Sequence, residues 1–280
     1  MGDTAIRVAY QGEPGAFSET AVLALFPSAD PVPRHAFRDV FRAVEEGVVD
    51  YGMMPIENSQ AGSINDTYDL LARGTARIVG EVIVPVRHSL MALPGTGLGD
   101  VRRVISHPQA LAQCQEYLER LGVEVLAVHD TAGAARLVAE ERRESEAAIA
   151  AERAAAVYGL DVLASEIEDD PQNQTRFVAV STAGEPVGEP TKTSLLFEVR
   201  SIPGALYRCL GPFAERNLNL SKLESRPLRG RPWEYRFYLD VDTGDRDEGF
   251  VAALDALREF TASLHVLGSY PRWSEAPSGG

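Results

Sequence analysis

Residues 182–191, TAGEPVGEPT, hold two Gly, two Pro and two Glu without apolar periodicity, and the order of structure changes across them. Ahead of this stretch, short apolar runs alternate with helical patterns. Strands are expected near 6–10, 51–54, 77–84, 89–93, 104–106, 123–128, 147–150 and 178–180. Helices are expected near 19–26, 39–46, 65–73, 110–121, 132–142 and 151–158, with Ser18 capping the first. Such alternation argues for mainly parallel sheets covered by helices. Behind the stretch, strands near 194–201, 220–226, 234–241 and 264–267 enclose helices near 204–217 and 248–257. That order is βαββαβ, the ferredoxin-like α+β pattern. The expected division is therefore 1–182, a linker 183–192, a second domain 193–270 and a flexible tail 271–280.

The 280 residues, 45% hydrophobic and 24% charged, are enough to bury two cores. The formal charge is −14, unevenly spread: residues 1–192 hold 29 acids and 16 bases, residues 193–270 hold 11 and 10. An acidic surface repels phosphate polymers and anionic lipid, so no nucleic-acid or membrane partner is expected. No window approaches the ~18 consecutive apolar residues of a membrane span. The N-terminal MGDTAIRVAYQGEPG has no basic and apolar leader pattern, and Cys114 and Cys209 are isolated. A reduced, cytoplasmic protein is the expectation. No His/Cys/Asp/Glu set has metal-ligand spacing and no Gly-X-Ser-X-Gly elbow occurs, so chemistry without metal or organic cofactor is expected. Lys192 and Lys222 are the two lysines; the remaining bases are arginine, suited to forked recognition of carboxylates.

Four polar clusters fall on expected loops or helix starts. Gly12-Glu13-Pro14-Gly15-Ala16-Phe17-Ser18 could let backbone N–H groups approach an anion, or could simply join strand to helix. The loop Pro55-Ile56-Glu57-Asn58-Ser59-Gln60-Ala61-Gly62-Ser63 offers one acid, several neutral donors and close backbone access; the bland alternative is a capped loop. Ser106-His107-Pro108-Gln109 and Asp130-Thr131-Ala132 sit at the carboxyl ends of strands, the edge where open α/β sheets bind ligands. His107 reads there as a capping or surface histidine before it reads as a base, and the same holds for His88. In Asn173-Gln174-Thr175-Arg176-Phe177, Arg176 could clamp a carboxylate or pair with the preceding acidic loop of Glu166, Glu168, Asp169 and Asp170.

Taken together, in this order, the clusters resemble monofunctional prephenate dehydratase. The matching segments are YQGEPGAFSE (10–19), MPIENSQAGSINDTYDLL (54–71), SHPQALAQC (106–114), DTAGAA (130–135), AAIAAERAAAVYGL (147–160) and NQTRFVAV (173–180). The C-terminal unit resembles the regulatory ACT domain of that family, through IPGALYRCL (202–210), NLNLSKLESRP (217–227) and PWEYRFYLD (232–240). Ala16-Phe17 departs from the Ser-Tyr of many relatives and leaves Ser18 as the hydroxyl donor there. No chorismate mutase segment is expected ahead of the first strand.

The resemblance implies a two-lobed α/β catalytic domain of the type II periplasmic-binding-protein fold. Lobe one would take 1–84 and 172–182, lobe two 85–171, with crossings near Val84–His88 and Asp169–Asn173. It implies loss of water and CO2 from prephenate, giving phenylpyruvate on the route to L-phenylalanine. Hydroxide is a poor leaving group, so a donor is needed; the resemblance points to Thr175, with Glu57 as the rival acid and Arg176 as a catalytic partner of a carboxylate or fixer of the loop. Substrate contacts would come from Ser18, Asn58, Ser59, Gly62, Ser63, Gln109, Thr131, Asn173 and Phe177. The ACT resemblance implies self-association, as dimer or tetramer, with L-phenylalanine bound allosterically between two copies. Its binding residues would be Gly204, Ala205, Leu206, Asn219, Leu220, Glu224, Ser225, Arg226 and Pro227. Arogenate, with an ammonium in place of the keto group, remains an alternative substrate. A non-catalytic amino-acid sensor on the same fold is the alternative from another class.

Overall fold

A computed structural model describes residues 5–200, 202–228, 230–231 and 233–274. Ser201, Pro232 and the tail from 275, on which expectations were placed, lie outside the described residues. The elements of the first sheet are β1 (Arg7–Gln11), α1 (Phe17–Leu25), β2 (Asp30–Arg34), α2 (Phe37–Glu45), β3 (Tyr51–Asn58), β4 (Gly62–Ser63), α3 (Asn65–Arg73) and β5 (Arg77–Pro85). The chain then crosses to β6 (Ser89–Ala92), β7 (Arg103–Ser106), α4 (Pro108–Gln113), α5 (Gln115–Leu121), β8 (Glu124–Ala127), α6 (Thr131–Glu140), β9 (Glu146–Ala150), α7 (Glu152–Tyr158) and β10 (Asp161–Ala164). It returns through β11 (Gln174–Ser181).

The first sheet has the order β2-β1-β3-β11-β5, with β4 on β3, and β1 lies parallel to both its neighbours. The second has the order β10-β6-β9-β7-β8. The two passages between the sheets run side by side: Val86 N–H donates to Asn173 O at 2.9 Å and Ile167 N–H to His88 O at 3.0 Å. This is the two-lobed α/β architecture expected. In the second lobe the central strand β9 reads Ala147-Ala148-Ile149-Ala150, all fully buried, because the Ala-rich α6 packs closely upon it. Small side chains allow that approach.

Several elements differ from expectation, each for a physical reason. The edge strand β2 holds Pro31 and Pro33, which read as breakers but are tolerated at a sheet edge where N–H groups need no partner. Strand β10 was not expected either; it pairs antiparallel with β6 at an edge of the second sheet. The expected helix 110–121 is two helices, broken at Cys114 (φ −120°, ψ 26°). The restart is stabilised from afar: the Asp169 carboxylate accepts the N–H groups of Gln115 (2.9 Å) and Glu116 (3.2 Å). Ser18 does not cap α1. The helix begins at Phe17 with Ala16 at its N-cap, and Glu19 reaches back to accept the Gly15 N–H at 2.7 Å.

The C-terminal elements are β12 (Lys192–Val199), α8 (Ala205–Ala214), β13 (Leu220–Pro227), β14 (Tyr235–Val241), α9 (Glu248–Arg258) and β15 (Thr261–Tyr270). They form an antiparallel sheet of order β13-β14-β12-β15, the βαββαβ arrangement expected. Phe197, Phe213, Phe237, Leu239, Phe250 and Leu257 build its core.

By compactness the chain divides into one unit of Met1–Thr67 with Val82–Phe177, and another of Tyr68–Glu81 with Val178–Gly280. The second unit therefore includes most of α3 and the start of β5. Lys192 Nζ holds both oxygens of Glu81 at 2.7 and 2.9 Å, and both residues are buried. A Cβ on Gly268 would overlap the Ile78 carbonyl, so β15 can lie against β5 there only as glycine.

Candidate active site

Side chains alternate between the faces of a strand, and that decides which motif residues can meet. β3 ends in Ile56-Glu57-Asn58; β11, beside it, begins Gln174-Thr175-Arg176-Phe177. Asn58 and Thr175 are buried on one face. Glu57 and Arg176, one residue on, pair across the other face, Arg176 Nη1 to Glu57 Oε2 at 3.6 Å. The acids of the loop that was the alternative partner for Arg176 make contacts of their own. Arg87 binds Glu166 and Glu168, Asp169 caps α5, and Asp170 accepts from Gln60.

Asn58 is committed on every side. Its Oδ1 accepts the backbone N–H groups of Gln60 (3.1 Å) and Ala61 (2.9 Å), which fixes the amide orientation. Its Nδ2 then donates to Asn173 Oδ1 (2.8 Å) and to Thr175 Oγ1 (3.0 Å). Thr175 therefore accepts from Asn58 and keeps its own hydrogen for another group.

That group would sit in a cavity of about 150 Å³ bordered by Asn58, Thr175, Gln109 and Thr131. These four expected residues come together from four segments. Phe17, Val86, His88, His107, Ala110 and Gln113 also border the cavity and were not foreseen as site residues. Phe17, Gln109 and Thr131 lie in the first turns of α1, α4 and α6. Three helix N-termini thus present positive partial charge to one small space. His107 does cap α4, its Nδ1 accepting the Gln109 N–H at 3.2 Å, and Asp130 caps α6 through the Gly133 N–H at 2.6 Å. No residue bordering the cavity is a carboxylic acid.

The other expected residues stand apart from this cavity. Ser59 Oγ accepts the Gln174 N–H at 3.0 Å and pins the start of β11. Gly62, with φ +77°, makes the turn from β3 into β4, where Ser63 pairs with Glu57. Asn173 is wholly buried and holds Asn58; Phe177 is core. Ser18 is buried in the first turn of α1. The glycine-rich turn before it docks against α7 of the other lobe. A Cβ on Gly15 would come within 2.7 Å of Ala154 Cα on α7, Tyr158 Oη donates to Pro14 O at 2.9 Å, and Arg153 Nε binds Glu19 Oε2 at 2.8 Å. Beside it opens a wider cleft of about 720 Å³, bordered by Arg34, His35, His129 and Arg136 as well as Glu13 and Asp130.

Both cysteines are buried and inert as nucleophiles: burial pushes the Cys114 thiol up to about 12 and Cys209 up to about 11. Among the described residues no group of three His, Cys, Asp or Glu could hold a metal ion, and no helix is long and apolar enough to cross a membrane.

The expected effector residues lie on α8 and on β13, an edge strand. Gly204 is the N-cap of α8 at φ +75°, Ala205 is buried behind it and Leu206 packs on the core. Asn219 Nδ2 is spent on Asp242 Oδ2 at 2.6 Å. Leu220 opens β13 opposite Val241. Along the strand, Glu224 pairs with Lys222 (3.2 Å) and Arg226 with Asp69 (3.2 Å), while Ser225 and Pro227 are exposed.

This fold is a two-lobed α/β domain with a small cavity, followed by a ferredoxin-like α+β domain. The prephenate dehydratase family model matches residues 8–185 and the ACT domain model residues 193–259. The chain belongs to the prephenate dehydratase family and is a lyase of the prephenate/arogenate dehydratase kind. It is 47% identical, over 95% of its length and 73% of the relative's, to an Arabidopsis thaliana protein named arogenate dehydratase/prephenate dehydratase 2, chloroplastic. It is 45% identical to arogenate dehydratase 2 of Petunia hybrida, over 95% and 72%. Among solved structures it resembles the prephenate dehydratase of Arthrobacter aurescens in complex with L-Phe (TM-score 0.84, 33% identity, 97% of this chain and 94% of that one). It also resembles GqqA, titled a novel type of quorum-quenching acylase (TM-score 0.87, 37% identity, 95% and 97%). The chloroplastic relatives overturn the expectation of a cytoplasmic protein. An address is read from targeting segments rather than from a folded core.

Proposed function

We propose that the chain converts prephenate to phenylpyruvate, CO2 and water, with Thr175 as the donor to the departing hydroxide. The observation that carries this reading is the Asn58–Thr175 hydrogen bond, which commits the threonine oxygen as acceptor and leaves its hydrogen for the cavity. Prephenate is a dianion whose ring aromatises as CO2 and hydroxide leave, so the drive is internal to the substrate. The work left to the protein is to hold the carboxylates and to stabilise hydroxide as charge develops on it. Three helix N-termini and neutral Asn58, Gln109 and Thr131 suit the first task. Thr175 suits the second. A threonine hydroxyl is a weak acid, so its hydrogen bond shortens in the transition state without full proton transfer.

Arg176 and Glu57, taken up with each other on the opposite face, act as a strut for β3 and β11 in this reading. Ser18, Ser59, Gly62, Ser63, Asn173 and Phe177 support the cavity from behind. The domain limits that go with it are 1–182 for catalysis, with lobe one 1–84 and 172–182 and lobe two 85–171, then 183–192, 193–270 and 271–280. Phenylalanine regulates through the ACT domain, bound where β13 and α8 of two copies meet. The L-Phe complex of the Arthrobacter aurescens relative supports the effector.

Prephenate is preferred over arogenate because no carboxylate borders the cavity to meet arogenate's ammonium. The names of the plant relatives favour arogenate instead. The test is direct: the purified protein is incubated with each compound at neutral pH and the aromatic product is followed, with and without chelator. Prephenate turnover should exceed arogenate turnover and survive chelation. Faster arogenate turnover would reverse the preference, and turnover of neither would remove the dehydratase reading.

A further inference from the structure

A chain of hydrogen bonds whose directions can be assigned ends at His88. The Asp170 carboxylate can only accept, so Gln60 turns its Nε2 towards it (2.9 Å) and its Oε1 towards Gln113. Hydrogen bonds from Gln60 and from the Gln172 backbone hold the Asp170 carboxyl below its ordinary range, in the accepting form. Gln113 Nε2 donates to Gln60 at 3.2 Å, which leaves Gln113 Oε1 to face His88 Nε2 at 3.0 Å. Nε2 must therefore carry a hydrogen.

In a neutral imidazole the other nitrogen, Nδ1, is then a bare acceptor. His88 is buried, and burial lowers its pKa, so the ring is neutral. The edge of the ring meets Phe17 at a centroid distance of 5.5 Å, and its backbone N–H is bound by Glu168 at 2.8 Å. Nδ1 itself is buried with no hydrogen-bond partner. Among the described residues bordering the cavity, no other side chain has such an atom. A buried acceptor without a partner is costly, and because His88 borders the cavity, a ligand donor reaching Nδ1 would relieve that cost.

We propose that His88 is a positioning residue whose unprotonated Nδ1 accepts the hydrogen of the substrate's ring hydroxyl. The assignment rests on the dehydratase reading and adds the group that orients the bond to be broken. An alcohol has one hydrogen to give and lone pairs that accept. Thr175 supplies the donor, His88 the acceptor, and together they fix where the hydroxyl stands. The two contacts behave oppositely during reaction. Negative charge growing on the departing oxygen strengthens the bond from Thr175 and weakens the bond to His88. The His88 contact therefore aids binding, whereas the Thr175 contact aids the chemical step.

Two substitutions separate this role from a structural one. His88→Gln keeps a donor towards Gln113 and removes the acceptor at the Nδ1 position. His88→Asn keeps an acceptor near Nδ1 and gives up Gln113. KM should rise about tenfold in His88→Gln, the size of one hydrogen bond, with kcat not lowered and rising as far as the contact weakens in the transition state, and KM should recover in His88→Asn. A purely structural role predicts the reverse order. The binding readout uses a ring-saturated prephenate analogue, which cannot aromatise, and its counterpart without the hydroxyl. Wild type should favour the hydroxylated analogue about tenfold, and His88→Gln should lose that preference. Should either variant fail to fold, nitrogen NMR of wild type labelled in histidine reads the same assignment: the Nδ1 signal should shift with the hydroxylated analogue only. Equal discrimination by wild type and His88→Gln, or an Nδ1 signal unmoved by the hydroxyl, would overturn the role of His88. Absence of turnover by wild type would overturn the functional reading instead.

Discussion

Each unit carries an arginine in a motif that reads as a ligand clamp, Arg176 in TRF and Arg226 in ESRP. Each is committed to a carboxylate: Arg176 to Glu57 at 3.6 Å, Arg226 to Asp69 at 3.2 Å. Their strands differ. β11 runs between β3 and β5, so the residues flanking Arg176, Thr175 and Phe177, are both buried and one borders the cavity. β13 is an edge strand with strictly alternating exposure, so Ser225 and Pro227 beside Arg226 face outwards. The first unit closes its site from its own chain. The second leaves one side of its motif strand open, at the edge of its sheet. On the proposed function, the charged residue of each motif would be the strut and its neutral neighbour the contact.

The strongest way to break this comparison is Thr175→Ala. If the neutral neighbour carries the chemistry, kcat should fall by ~10²–10⁴ with little change in KM. Stopped-time product assays under saturating prephenate check this, and near-normal kcat would hand the donor role elsewhere. The corresponding change in the second unit is Ser225→Trp, which fills the exposed side of β13. Phenylalanine should alter wild-type activity about 5- to 150-fold, a coupling of ~1–3 kcal/mol, and should lose that effect in the variant. Calorimetry and activity with and without phenylalanine measure both. Unchanged binding in Ser225→Trp would place the effector away from this strand.

Smaller effects follow for the struts. Arg176→Met should lower unfolding stability by about 1 kcal/mol, since the pair is partly exposed, and leave kcat nearly intact. Denaturant titration beside kinetics decides it. A fall in kcat as large as that of Thr175→Ala would make Arg176 a direct ligand after all.

Strand–helix alternation and the switch to βαββαβ were legible because each is local and periodic. The motifs PIENS and TRF were legible as motifs, but their division of labour was not. Parity along β3 and β11 separates Asn58 and Thr175 from Glu57 and Arg176, and the loop reading of residues 55–62 hid that β3 continues through Asn58. His88 and Gln113 were missed because their importance lies in a relay from Asp170 through Gln60, four residues scattered over more than a hundred positions. The break at Cys114 was missed for the same reason, its cap arriving from Asp169. Long-range hydrogen bonds leave no periodic trace.

The mildest expected effect separates the two units by acid. His88 in the first unit has its pKa lowered from 6.5 by burial, so the unfolded chain binds that proton more readily than the folded one. Stability of the first unit should therefore fall as pH drops below about 6.5, the ordinary histidine value. In the second unit burial pushes Glu198 up, but hydrogen bonds from Arg236 (2.9 Å) and Arg231 (2.6 Å) outweigh it and hold the carboxyl below 4.5. That contribution is present above 4.5 and lost only as pH falls through the lower folded value. Amide exchange at pH 7, 5.5 and 4 should show protection weakening first around α4 and β11, and later in β12 and β14. His88→Asn should remove the early loss and leave the later one. Simultaneous loss of protection in both units would mean that neither group sets the acid response, and that the two units unfold as one.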